Sequence, residues 1–175
     1  MSKTVRVGVI GVGSIAEMHI AGYKADPRVA FCDINEERLK EKGERHGVTR
    51  LYTDVKDMVA KEELDAVSVC TWNAAHAPCT IAALEAGLHV LCEKPMAMNV
   101  AEAEAMREAA KRSGKLLMIG FVRRFGNDCA VVQDFINEGY FGDLYYAKAT
   151  YLRRNGCPGG WFGDKSRSGG GPLID

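Results

Sequence analysis

The chain has 175 residues, enough for one well-buried domain and too few for two full ones. Basic and acidic side chains number 23 each, so no net field draws the protein to nucleic acid or to a membrane surface. The N-terminal apolar run is too short and too glycine-rich to span a bilayer or serve as a signal peptide, and the expected location is the cytoplasm.

Strand-like and helix-like segments alternate along the sequence. Val5–Ile10 is an apolar run that suits a buried strand, and Ile15–Lys24 reads as a helix that stops near Asp26-Pro27. Val29–Cys32 is the second strand. Asn35–His46 is a charged helix with Gly47 as its stop. Leu51-Tyr52 suggests a short third strand, and Asp54 is placed to cap a helix over Val55–Lys61. Ala66–Cys70 is a fourth strand, His76–Ala86 a helix closed by Gly87, and His89–Cys92 a fifth strand. Val100–Ser113 is an Ala- and Glu-rich helix ended by Gly114, followed by a sixth strand over Leu116–Gly120. Beyond Phe121 the character changes: Cys129–Asn137 reads as a helix, Tyr145–Arg153 as a β-rich run, and 155–171 as a glycine-rich loop. The alternation predicts an α/β fold, a Rossmann-type doubly wound and mostly parallel sheet, whose ligand mouth lies at the strand C-termini.

The chemistry-bearing residues fall at that mouth. Gly11-Val12-Gly13-Ser14-Ile15-Ala16 follows the first strand as a G-x-G-x-x-A turn, whose glycines let the backbone approach a pyrophosphate. Asp33 comes 22 residues after Gly11 and closes the second strand, where a carboxylate accepts from the adenosine ribose hydroxyls and repels a 2′-phosphate. That favours NAD over NADP, since no basic residue follows before Arg38. Asp33 also suits the N-cap of the next helix, and the two roles are compatible. The predicted cofactor contacts are Gly11, Gly13, Ser14, Ile15, Asp33, Ile34, Thr71, Trp72, Asn73, His76, Glu93 and Lys94. His76 is equally readable as a helix residue with no ligand. In Glu93-Lys94-Pro95 an ammonium beside a rigid proline can stabilise a developing alkoxide, and a plain surface ion pair is the competing reading. Arg123-Arg124 and Arg153-Arg154 read either as an anion site or as solvated surface.

The six cysteines show no C-x-x-C and no zinc-type spacing with histidine, so buried free thiols are expected and no metal site. Cys157, in a Gly/Pro loop, is the one expected to be exposed.

Taken together, VGVIGVGSIAEMHIAGY, CDIN, CTWNAAH, ALEAGLHVLCEKPMA, IGFVRRF, GYFGDLYYAKATY and GGGPLID resemble the Gfo/Idh/MocA oxidoreductases over nearly the whole chain. The resemblance implies a Rossmann domain over residues 1–122. Residues 123–175 would then begin a C-terminal α/β domain with an open antiparallel sheet that forms substrate and oligomer surfaces. It implies NAD-linked hydride transfer to or from a sugar, sugar derivative or cyclitol, with Lys94 and Asp175 as catalytic residues. Trp161 would sit beside the nicotinamide, and Lys94, Arg124 and Asp175 near the substrate. The sequence departs from the family pattern in three places. The histidine expected four residues after Asp175 lies past the last residue, Pro27–Asp33 is several residues short, and Trp72 stands where proline is common. The first two departures give the expectation of an incomplete sequence. A non-catalytic dinucleotide-binding sensor or regulatory subunit is the alternative function.

Overall fold

A computed structural model describes residues 4–23, 29–152, 154, 156 and 158–170. Six strands alternate with helices: β1 (Val7–Ile10), α1 (Ala16–Tyr23), β2 (Ala30–Cys32), α2 (Glu36–His46), β3 (Arg50–Tyr52), α3 (Val55–Lys61), β4 (Ala66–Val69), α4 (Asn73–Glu85), β5 (His89–Cys92), α5 (Val100–Ser113) and β6 (Leu117–Ile119). Every pairing is parallel, in the order β3-β2-β1-β4-β5-β6. The chain starts in the middle of the sheet, winds outward through β2 and β3, then returns to the other side of β1 with β4. The switch point between β1 and β4 opens the crevice where ligands bind in such sheets.

The central strands read as continuous apolar runs because helices cover both faces. Val9 and Phe31 face α1 and α2 with Val12, Ile20 and Leu39. Ile10, Val67, Val69 and Val90 face α3, α4 and α5 with Met58, Leu84 and Met106. Helix ends follow their capping residues. Asn35 accepts from the Arg38 amide (2.9 Å), Asp54 from the Lys56 and Asp57 amides, and Asn99 from the Glu102 amide (3.0 Å). Glu102 reaches back to the Met98 amide (3.1 Å), one residue before the cap, and also accepts from Asn99 Nδ2 (2.8 Å).

Several elements differ from the sequence expectations. Helix α4 begins three residues before His76, so Pro78 lies inside it rather than in its first turn. A single 3-10 turn, Val122–Phe125, precedes α6 (Asn127–Asn137). The predicted β-rich run Tyr145–Arg153 forms no strand over 145–152, and Arg153 lies outside the described residues. The run has strand propensity, but a strand exists only through pairing, and no neighbouring strand lies alongside it among the described residues. Its side chains are exposed instead, Tyr145 at 97%. The glycine-rich stretch is also more ordered than a loop: it holds a 3-10 turn, Gly160–Gly163, and the short helix α7 (Lys165–Ser168), capped by Asp164. No helix among the described residues is long and apolar enough to cross a membrane.

Leu84 is fully buried where α4 packs on the sheet and on α5. Leu84→Ala is expected to cost about 2–5 kcal/mol in urea unfolding. A loss under about 1 kcal/mol would contradict this packing.

Candidate functional site

The C-terminal ends of the strands are stitched together by backbone hydrogen bonds. Gly11 N–H donates to Cys32 O (2.7 Å), Cys70 N–H to Ile10 O (2.7 Å), Glu93 N–H to Val69 O (2.9 Å) and Gly120 N–H to Cys92 O (2.8 Å). Above these ends lies a cleft of about 700 Å³. Of the predicted cofactor contacts, Gly11, Gly13, Ser14, Ile15, Asp33, Ile34, Thr71, Trp72, Asn73, Glu93, Lys94 and Trp161 all line it.

The first turn leaves β1 through Gly11, whose φ of +84° suits only glycine. A Cβ there would stand 2.9 Å from the Cys70 carbonyl, so the residue is also squeezed from behind. Gly13 is different: a Cβ there would meet nothing within 4 Å. Packing does not explain a glycine at 13. Close approach of a bound group does, which is what a pyrophosphate on the turn would require. Helix α1 begins at Ala16, with Ser14 and Ile15 in the turn before it.

Asp33 is 7% exposed. Its Oδ2 accepts the Val12 amide (2.9 Å) and its Oδ1 accepts the Asn35 amide (2.9 Å). The helix cap itself is Asn35, so Asp33 braces the glycine turn rather than capping α2. A carboxylate has about four lone-pair sites, so capacity remains for ribose hydroxyls. Arg38 approaches Asp33 Oδ2 at 3.6 Å and is thereby engaged with the carboxylate. The residues present fit a dinucleotide: amides and an open glycine for the phosphates, and an acid for the ribose.

The far end of the cleft holds Glu93 and Lys94, joined to Pro95 by a cis peptide bond. Burial alone would push the Glu93 carboxyl up, but hydrogen bonds and charge from His19 and Lys94 outweigh it and hold the group below its ordinary value. Trp161 stacks on Phe162 with ring centroids 3.9 Å apart, and both line the cleft. Asn73 Nδ2 donates to Ser168 O (2.9 Å), tying this segment to the start of α4. The Arg167 guanidinium lies 5.5 Å from the Trp72 ring centroid, within cation–π range. Cys32, Cys70 and Cys79 also line the cleft. Burial pushes their thiols up, Cys32 to about 12 and Cys79 to about 11, so they serve as apolar wall rather than as nucleophiles.

Two predicted residues lie elsewhere. His76 is 1% exposed and points both ring nitrogens at carbonyls, Pro95 O (2.7 Å) and Thr71 O (3.2 Å). It ties the loop after β4 to the Lys94-Pro95 turn and leaves no nitrogen for a ligand. Arg124 is exposed on the 3-10 turn after β6 and does not line the cleft. Asp175 lies outside the described residues, as does Cys157. Sequence reasoning missed Phe162 and Arg167, which have no distinctive spacing. It also missed the wall formed by Thr53, Asp54, Val55 and Lys56. That wall was readable, because it follows β3 and so falls at the mouth.

Parallel strands in this order, with a glycine turn and a distal acid at the switch point, define a dinucleotide-binding Rossmann domain. Residues 5–121 match the Gfo/Idh/MocA family, described as an oxidoreductase family with an NAD-binding Rossmann fold. The chain is 38% identical to the D-glucoside 3-dehydrogenase of Escherichia coli (strain K12), over 99% of this chain and 51% of that protein. It is 34% identical to the myo-inositol 2-dehydrogenase of Thermotoga maritima, over 83% of this chain and 44% of that protein. It also superposes, at a TM-score of 0.74 and 29% identity, on the WlbA dehydrogenase from Bordetella pertussis in complex with NADH and UDP-GlcNAcA. That match covers 81% of this chain and 44% of the other. The chain belongs to the Gfo/Idh/MocA oxidoreductases and spans about half the length of these relatives.

The two turn glycines separate folding from binding. Gly11→Ala is expected to lower unfolding stability by about 1–3 kcal/mol, through its strained φ and its clash with Cys70. Gly13→Ala should unfold at the denaturant concentration of the parent protein yet weaken NADH binding roughly tenfold or more, since a methyl group would stand where the cofactor backbone approaches. Unchanged NADH affinity in Gly13→Ala, read by fluorescence titration, would contradict the assignment.

Proposed function

We propose that the protein containing this chain is an NAD(H)-dependent dehydrogenase acting on a hydroxyl or carbonyl of a sugar, sugar derivative or cyclitol. The observation that carries this reading is that one cleft gathers the glycine turn, Asp33, Lys94 and Trp161. The similar proteins named for a glucoside and an inositol point to the same substrate class. In this reading residues 1–122 form the cofactor domain and residues 123–175 begin a substrate domain. The substrate domain would also mediate self-association, and the protein would work in the cytoplasm.

The nicotinamide supplies hydride transfer when bound. The chain's own residues bind and orient. The Ser14–Ile15 turn and the open face of Gly13 take the pyrophosphate, Asp33 takes the adenosine ribose, and Trp161 covers the nicotinamide end. NAD is favoured over NADP on two counts: Asp33 repels a 2′-phosphate, and Arg38 is already engaged by Asp33. Lys94 places positive charge at the reacting oxygen and stabilises the alkoxide that forms there. Asp175 supports proton transfer at the reacting oxygen. Arg167, on the cleft wall, is better placed than Arg124 to meet substrate hydroxyls or charge.

The test is NADH formation by the full-length protein on a panel of sugars, glycosides and cyclitols. Lys94→Ala is expected to lower turnover roughly 100-fold or more while NADH affinity stays within a few-fold. Turnover that survives within a few-fold removes the role given to Lys94. Asp33→Ser is expected to erode the preference for NAD over NADP at least tenfold, because it removes the repelling charge and releases Arg38. An unchanged ratio of the two cofactors' kcat/KM values would overturn that part.

A further inference from the structure

A line of polar side chains crosses the apolar layer between the sheet and α1. Tyr23 Oη lies 2.8 Å from Ser68 Oγ, Ser68 Oγ lies 3.1 Å from His19 Nδ1, and His19 Nε2 lies 2.9 Å from Glu93 Oε1. Ser68 is fully buried at 0% exposure, and the His19 and Glu93 side chains are only 10% and 9% exposed. The Nε2 hydrogen donates to Glu93, while Nδ1, Ser68 Oγ and Tyr23 Oη satisfy one another. The line ends on the carboxylate at the cleft.

Glu93 is held on its other side too. Its Oε2 accepts the Lys94 amide (3.3 Å), and a Cβ on Gly120 would stand 3.1 Å from its Oε1. The carboxylate is thus fixed between α1 and the end of β6. Stability does not require such a line, since buried polar chains often do no better than apolar side chains of the same volume. What the line achieves is one orientation for Glu93, directly beside Lys94.

We propose that His19, oriented by Ser68 and Tyr23, is a positioning residue for the reaction: it fixes the Glu93 carboxylate, and with it the Lys94 turn, at the reacting end of the cleft. The proposal rests on the dehydrogenase reading given above. The titratable groups facing Glu93 are His19 from α1, Cys70 after β4, Cys92 in β5 and its neighbour Lys94. Both thiols are pushed up by burial and stay neutral. Without His19, only Lys94 would oppose burial, and Glu93 would protonate at higher pH than in the parent protein.

The test uses the full-length protein with His19→Ala, His19→Gln, Ser68→Ala and Lys94→Ala. Two readouts serve: kcat against pH, and carbon-13 NMR titration of the Glu93 carboxyl without cofactor. His19→Ala is expected to lower kcat roughly 10- to 100-fold while the Kd for NADH changes less than a few-fold. The acid limb of its kcat profile and the Glu93 titration should both move to higher pH. Ser68→Ala should move them less, and His19→Gln, which keeps an N–H near the same reach, should restore most of the activity. If His19→Ala folds and keeps both kcat and the Glu93 titration of the parent, the proposal is wrong. It is also wrong if His19→Gln is as impaired as His19→Ala. The parent protein and Lys94→Ala keep the readings apart: no NADH formation by the parent on any sugar, glycoside or cyclitol defeats the dehydrogenase reading, whereas loss of turnover in Lys94→Ala alongside an unimpaired His19→Ala defeats the positioning role alone.

Discussion

The site depends on one buried carboxylate. Asp33 leaves the end of β2 and binds the Val12 amide with one oxygen and the Asn35 amide with the other. Hydrogen bonds to a charged acceptor are worth on the order of 1.5–3 kcal/mol each, and more when their loss leaves a buried partner unpaired. Here they clamp the glycine turn to the neighbouring strand and set where α2 begins. In the proposed function, the residue that fixes the shape of the glycine turn is also the one placed to choose the cofactor, so a substitution that alters the choice alters the support as well.

Around that clamp, the two faces of the sheet do different work. The face under α3, α4 and α5 is an apolar layer that supplies bulk burial. The face under α1 and α2 is apolar near β2 but carries the Tyr23–Ser68–His19–Glu93 line toward β5. Strand alternation places Ser68 on the second face while Val67 and Val69 point to the first. One polar residue at one register position is thus enough to carry polarity through the core without breaking either layer.

Much of this was legible in the sequence because it is local. Most of the strands are short apolar runs, and Asp54, Gly47 and Gly114 mark helix ends where the structure has them. The glycine turn and Asp33 follow from spacing alone. What sequence reasoning missed is non-local. Tyr145–Tyr151 has the composition of a strand, but pairing depends on a neighbour that local propensity does not supply. His76 looked like a ligand because it follows β4, yet its partners, Pro95 and Thr71, are met only after α4 folds back on the sheet. His19 carried a readable signal, since it precedes the buried Ile20 and lies three residues after the buried Ala16 on the inward face of α1. Nothing in the sequence showed that Glu93 would be waiting there. Arg167 had no signal, because its place depends on how the glycine-rich segment docks on α4.

The most direct measurement is amide hydrogen exchange on the full-length protein with and without NADH. The account predicts slowed exchange in peptides covering the glycine turn, the Asp33–Ile34 segment and the Thr71–Asn73 loop. The outer face of α5 should be unchanged. Protection confined to regions outside this cleft, or no protection at saturating NADH, would contradict the claim that these residues form the cofactor site.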